Sequence, residues 1–440
     1  MSVLTSLRIA FCCSLSLTIP LCAGAATGTD SFETATAQAM ESVPVPGAVS
    51  SDPAGKSDHR NLTVAVIMPG DTAPTIAANK IVLNGLTAAC IRKPNIRLIM
   101  VESSSNDNLD NQLKAAALAG ADVAIGPLSR ERVDALLRLP SLPLPVIALN
   151  TPTHSMMSEN DAHLLMMSLS TELEANYVAK LAADSLEQLN NPLSKVLIVR
   201  DANKTDYRVT AGYETALQDH VVPYQILPID PATINSLKQL TPPQLSSEQR
   251  QLYVQEISAL SQAPSTEENM ERLERLKNAL RSADSQEVSQ YPVALLSLDA
   301  AQASLVINRL PRNTQIWGIS LLNPGDPETN PTASSLVYDM NNAIFVDSPL
   351  LVEYDNESFE AKFQTAMPYS LTAKRLFALG VDALSVAEKW AHQETTFKFS
   401  GESGTWTSNR AQSALLDRKP AAILIQDGSL QLLTLEPSNH

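Results

Sequence analysis

Four short segments carry side chains able to grip a ligand: Pro69-Gly70-Asp71, Ser103-Ser104-Ser105, Gly126-Pro127-Leu128-Ser129 and Asn150-Thr151. Small hydroxyl groups, combined with the free N–H groups of a helix N-terminus, can hold a carboxylate. Ser and Asn in such places also serve as ordinary helix caps, and both uses stay open at this point. Gly70, Asp71, Ser103, Ser104, Gly126, Ser129, Asn150 and Thr151 are therefore the candidate residues of a ligand-binding cleft.

No catalytic chemistry is legible beside them. The sequence has no G-x-x-x-x-G-K-S/T phosphate loop, and no G-x-G-x-x-G follows its first apolar run. Gly401-Glu402-Ser403-Gly404 is not a G-x-S-x-G nucleophile elbow, and no Ser-x-x-Lys pair occurs. The histidines, His59, His154, His163, His220, His392 and His440, never pair at i,i+4 and never neighbour Cys at a zinc spacing. Glu267-Glu268 reads as favourable charge at a helix N-terminus, not as an acid/base pair. The expectation is a non-enzymatic binding protein with no cofactor and no metal.

The four segments must be positioned by the runs that precede them. Leu62–Met68, Ile96–Val101, Val123–Ile125 and Pro145–Leu149 are short and apolar. Helix-like segments over 73–92, 107–119 and 129–138 separate them. Strands apolar on both faces, alternating with helices, imply a parallel sheet covered on both sides, with ligands held beyond the carboxyl ends of its strands. The pattern then restarts. Helices over 171–189 and 205–219 alternate with runs at 195–199 and 222–227, and further runs at 293–296 and 315–319 flank a helix over 299–309. Later come a strand at 342–346, helices over about 357–366 and 370–393, and two terminal strands joined at Asp427-Gly428, a hairpin turn signal.

The segment of about 230–290 is too long for an ordinary crossover. Ser246…Gln249 and Ser265…Glu268 have the spacing of capping boxes. Leu252, Tyr253, Ile257 and Leu260, then Met270, Leu273, Leu276 and Leu280, give each following helix an apolar stripe. An αα-hairpin decorating the second lobe is expected, serving either as packing or as a docking element.

At the N-terminus, Arg8 precedes an apolar stretch from Ile9 to Leu21 and the small residues Ala23-Gly24-Ala25. The stretch is too short to span a bilayer and reads as a signal peptide cleaved after Ala25. A lipid anchor at Cys22 is the less favoured alternative, because Ile19-Pro20-Leu21 is a poor lipidation context. Residues 26–60, rich in Ala, Ser, Thr, Pro and Gly, read as a disordered linker. The formal charge is −15, and removal of Arg8 with residues 1–25 leaves −16. Such an acidic chain is a poor partner for nucleic acid, and no later stretch is apolar enough to cross a membrane. Cys90 is the only cysteine beyond the signal segment, so no internal disulfide is expected.

Met68-Pro69-Gly70, then Val82-Leu83-Asn84-Gly85-Leu86, Ala124-Ile125-Gly126-Pro127-Leu128 and Pro145–Asn150, resembles the type I periplasmic binding protein fold. The resemblance implies an α/β chain of two doubly wound parallel-sheet lobes. Lobe 1 would span about 61–149 and 348–396, and lobe 2 about 150–345 and 397–440. The segments Leu165–Glu174, Asp347-Ser348-Pro349-Leu350-Leu351, Arg375–Ala383 and Ser400–Gly404 are similar to the C-terminal domain of the LppC/LpoA family of penicillin-binding protein activators. Leu350 stands where that family usually has Trp, and the linker stands where its better-known members have a helical-repeat domain. The family implies a periplasmic, non-enzymatic regulator that docks on a bifunctional peptidoglycan synthase and stimulates cross-linking. The alternative is a solute-binding protein of an amino-acid or peptide transporter, with a small molecule in its cleft.

Overall fold

The structure is a computed structural model. It describes residues 61–434 except 102–107, 154–160, 189–194, 205–206, 231–232, 235–246, 265, 285–290, 312 and 328–329. The signal peptide and linker expected over 1–60 therefore lie outside the described residues.

The first sheet is wholly parallel, with the order β2-β1-β3-β4-β5. Its strands are β1 (Leu62–Val66), β2 (Ile96–Met100), β3 (Val123–Ile125), β4 (Val146–Ala148) and β5 (Leu164–Met166). Val64, Val123 and Ile147 bury one face against helices α1 (Ala73–Ile91) and α12 (Leu371–Ala391). Ala65, Ala124 and Val146 bury the other against α2 (Leu109–Leu118) and α3 (Arg130–Leu137). This double burial is why the runs read as continuously apolar. Helices α1 and α12 approach unusually closely, because a Cβ on Gly85 would collide with the Phe377 carbonyl and one on Gly380 with that of Val82.

The second sheet has the order β15-β14-β10-β9-β8-β6-β7. Its parallel strands are β6 (Val196–Asp201), β7 (Tyr224–Ile229), β8 (Val293–Ser297), β9 (Gln315–Gly318) and β10 (Ala343–Asp347). The antiparallel pair β14 (Ala421–Gln426) and β15 (Ser429–Leu433) completes it. Asp427 and Gly428 both take positive φ in the turn between them, 51° and 77°, as a two-residue hairpin loop requires. Helices α4 (Thr171–Gln188) and α5 (Arg208–Asp219) cover one face, and α8 (Ala300–Ile307) and α9 (Ala333–Asp339) the other.

Two boundaries differ from the sequence expectation. The first lobe does not end at residue 149, since β5 pairs in parallel with β4 through Val146–Leu164, Ile147–Leu165 and Ala148–Met166. Three apolar residues are too few for periodicity to register. Residues 397–419 also belong to the first lobe. Strands β11 (Thr396–Ser400), β12 (Thr405–Asn409) and β13 (Asp417–Lys419) form a small antiparallel sheet, and Phe397, Trp406 and Leu416 enter the core of β1–β5. This one-sided sheet alternates aromatic with polar residues, a pattern weaker than the doubly buried runs. The chain therefore crosses between lobes three times: at Met167–Ser170, at Ser348-Pro349 before α10 (Leu350–Glu353) and α11 (Asn356–Phe363), and at Pro420.

The expected αα-hairpin is present as α6 (Ser247–Gln262) and α7 (Glu267–Asp284), between β7 and β8. Arg272 bridges the two helices by pairing with Glu256. Among the described residues of the pair none is fully buried; Tyr253, Ile257, Leu260, Leu273, Leu276 and Leu280 are half-buried. Ser246 and Ser265 lie outside the described residues. At the second helix the cap is Thr266, whose Oγ1 accepts from the Asn269 N–H at 3.3 Å.

Candidate functional site

The loops after β1, β3 and β4 place the described candidate residues at one end of the first sheet. Gly70 packs on Ile76 and on Asn79, whose Nδ2 donates to the carbonyls of Met68 and Pro69 at 3.0 and 3.2 Å. Asp71 is gripped by Arg132 through three contacts of 2.8–3.3 Å. Gly126 has φ +112°, and a Cβ there would strike the Ile67 carbonyl oxygen. Ser129 caps α3, accepting from the Arg132 N–H at 3.3 Å. Asn150 donates to the Leu128 carbonyl at 3.1 Å and accepts from the Thr151 N–H at 2.9 Å. Thr151 accepts from Arg130 through both its hydroxyl and its carbonyl. Ser103 and Ser104 lie outside the described residues. The polar candidates that the structure describes are thus engaged within their own lobe.

Arg130 also reaches across the seam. Its NH1 stands 3.5 Å from Glu172 Oε1 in the first turn of α4, and Arg208 at the start of α5 stands 3.5 Å from the same oxygen. Burial works to raise the Glu172 carboxyl. The Ser170 hydrogen bond, its backbone hydrogen bond and the two guanidinium groups outweigh that and hold it below the usual carboxylate range. On the opposite lobe, Asp201 at the end of β6 accepts from Gln302 Nε2 at 2.6 Å and from the Asn203 N–H at 2.8 Å.

A larger polar assembly lies deeper, where the crossovers meet. Arg418 on β13 donates to Glu174 Oε1 at 2.9 Å, to the Ser403 carbonyl at 2.9 Å and to Ser348 Oγ at 3.3 Å. Both members of the Arg418–Glu174 pair are almost wholly shielded, at 3% and 2% side-chain exposure. Glu174 Oε2 accepts from the Ser320 N–H at 3.3 Å. Arg375 on α12 makes a two-pronged contact with Asp347 at 2.7 and 2.6 Å and donates to the Ser320 carbonyl at 3.0 Å. Asp347, fully buried at the end of β10, also accepts from Asn323 Nδ2 at 2.9 Å and the Ser348 N–H at 2.8 Å. Desolvation opposes the charge on Arg375, but the attraction of Asp347, its hydrogen bonds and Glu174 raise its pKa above the ordinary value.

Beside this assembly, Asp382 on α12 accepts from the N–H groups of Glu402 and Ser403, from Trp406 Nε1 at 3.0 Å and from the Ser403 hydroxyl. Burial pushes its carboxyl up to about 6 against those donors. Gly401 lets the loop lie directly on the carboxylate, since a Cβ there would overlap it.

None of Glu174, Asp347, Arg375, Asp382 or Arg418 was marked from the sequence as a site residue. Four of them fall in or next to apolar runs, as in Val346-Asp347 and Arg375-Leu376-Phe377, and a charge embedded in a buried pattern is the signal that flags a paired ion. Among the described residues, no group of His, Cys, Asp and Glu could hold a metal ion, and no helix is long and apolar enough to cross a membrane.

The sequence matches no protein-family model and no curated protein. Solved structures do match. The LpoA (YraM) C-domain from Haemophilus influenzae, described as a regulator of PBP1A, aligns over 84% of this chain and 100% of its own length, with TM-score 0.57 and 16% identity. A putative branched-chain amino acid ABC transporter from Chromobacterium violaceum aligns over 82% of this chain and 99% of its own, with TM-score 0.57 and 20% identity. Full-length LpoA from Haemophilus influenzae gives TM-score 0.59 and 15% identity over 85% of this chain, which spans 59% of that structure. Identities this low carry the fold alone. The chain has the two-lobed α/β fold of type I periplasmic binding proteins.

Proposed function

We propose that the chain is an exported, non-enzymatic regulator that docks on a bifunctional penicillin-binding protein and raises its cross-linking of peptidoglycan. The observation that carries this reading is the state of the seam. Asp71, Ser129, Asn150 and Thr151, the polar cleft candidates among the described residues, are held by Arg132, Arg130 and the loop backbone. A solute engaging Asp71 would require its bonds to Arg132 to be exchanged, and the Ser129 and Thr151 hydroxyls, already accepting, would offer it mainly their O–H. A regulator needs no such exchange; it acts by binding one conformation of the synthase more tightly than another. The alignment with the full length of the LpoA C-domain supports the same reading, as do the LppC/LpoA-like segments Leu165–Glu174, Asp347–Leu351 and Arg375–Ala383.

A second reading, a solute-binding component of an amino-acid or peptide transporter, is favoured by an equal TM-score against the Chromobacterium violaceum protein. The chain beginning at Ala26, titrated against the host's bifunctional penicillin-binding proteins, separates the two. The regulator reading expects specific binding together with faster cross-linking of lipid-linked precursor. Absence of binding, with an amino acid or short peptide raising the melting temperature, would establish the solute reading. A ligand at a hundredfold its Kd adds about 2.7 kcal/mol to stability, which a thermal melt resolves.

A further inference from the structure

We infer that the two lobes are locked at one angle by the buried ion network, so that the chain presents a fixed two-lobed surface in place of a hinge that closes. The inference rests on the contacts between the lobes and not on the identity of a protein partner.

All three crossovers enter the network. Glu174 follows the first, Asp347 ends β10 just before the second at Ser348-Pro349, and Arg418 precedes the third at Pro420. Arg418 holds the first and second crossovers at once, through Glu174 and Ser348. The ties also run from lobe to lobe outside the crossovers. Arg375 belongs to α12 of the first lobe, while its partners Asp347 and the Ser320 carbonyl belong to the second. Next to it on α12, Lys374 reaches Asp326 of the second lobe at 2.6 Å. At the rim, Arg130 adds its contact with Glu172.

These ties start from α3, α12 and β13, and the Arg130–Glu172 and Lys374–Asp326 contacts lie away from the crossovers, so bending at the crossovers alone would stretch them. A hinge rotation of about 30° moves an atom 5 Å from its axis by roughly 2.6 Å, far beyond what a two-pronged guanidinium–carboxylate contact tolerates. The charges balance within the network, two arginines against Glu174 and Asp347. Opening it would break the Arg418–Glu174 pair, whose members are shielded together at 3% and 2% exposure.

Spin labels test this in the chain from Ala26. Leu118→Cys in the first lobe and Val221→Cys in the second, 89% and 88% exposed, are introduced into a Cys90→Ala background. The expected result is one narrow inter-label distance distribution, unchanged by leucine or a short peptide at millimolar concentration. The paired change Glu174→Leu with Arg418→Met, which removes both charges, should at least double its width. Arg375→Lys keeps the charge but loses the two-pronged grip and should broaden the distribution less; it serves if the paired variant does not fold. Two populations in the parent protein, or a shift on adding a solute, would overturn the lock. So would an unchanged width in a variant whose melt shows it folded.

Discussion

At the scale of single residues, Asp382 makes the sharpest claim. Its folded pKa of about 6 lies above that of an unfolded aspartate, so the native state binds this proton more tightly. Stability from this group is therefore greatest below about pH 4, falls as pH rises through the window from 4 to 6, and levels off about 3 kcal/mol lower. Asp382→Asn removes the titration and, with its amide oxygen kept toward Ser403 and Trp406, turns its NH2 toward the Glu402 N–H. The stability of the parent relative to this variant, from denaturant unfolding at pH 4.5 and pH 7, should shrink as pH rises. The opposite slope would show that the donors of Glu402, Ser403 and Trp406 outweigh burial. Gly126 carries a second residue-scale prediction. Valine there meets both the left-handed φ and the Ile67 carbonyl, so Gly126→Val should cost about 3 kcal/mol or more and sharply lower soluble yield. A normal melting temperature would remove the strand–helix turn from the account.

At the scale of elements, the hairpin α6–α7 differs from every other helix pair. Its described residues include none that is fully buried, and Leu252, Val254 and Met270 are exposed. Replacing residues 244–284 with a short loop should leave the cores of both lobes and the melting temperature nearly unchanged. If the hairpin is a docking element, affinity for the synthase falls at least tenfold, about 1.4 kcal/mol. Unchanged affinity, measured by the same titration, would make it a decoration. This element was legible in sequence because its apolar stripes repeat at helical spacing over two long segments. The small sheet β11–β13 and the three-residue β5 were not. Their apolar positions are few, and the neighbours that bury them, such as Trp406 against the core of β1–β5, are distant in the chain.

At the scale of the whole molecule, the two lobes, their parallel sheets and the hairpin insertion follow from apolar periodicity, because a doubly buried strand must be apolar throughout and a packed helix must carry a stripe. The absence of catalytic motifs was likewise local information. The loops at the strand ends were legible as positions but not as roles, since a serine that caps a helix and one that holds a carboxylate read alike. Only the tertiary structure decided that Ser129 caps α3, that Asp71 belongs to Arg132 and that Thr151 belongs to Arg130. It also decided that Arg418 meets Glu174 across 244 positions of chain. Side-chain periodicity reports what a residue's own element demands of it. Pairing between charges is set by which elements the crossovers bring together, and that is fixed only when the lobes have folded against each other.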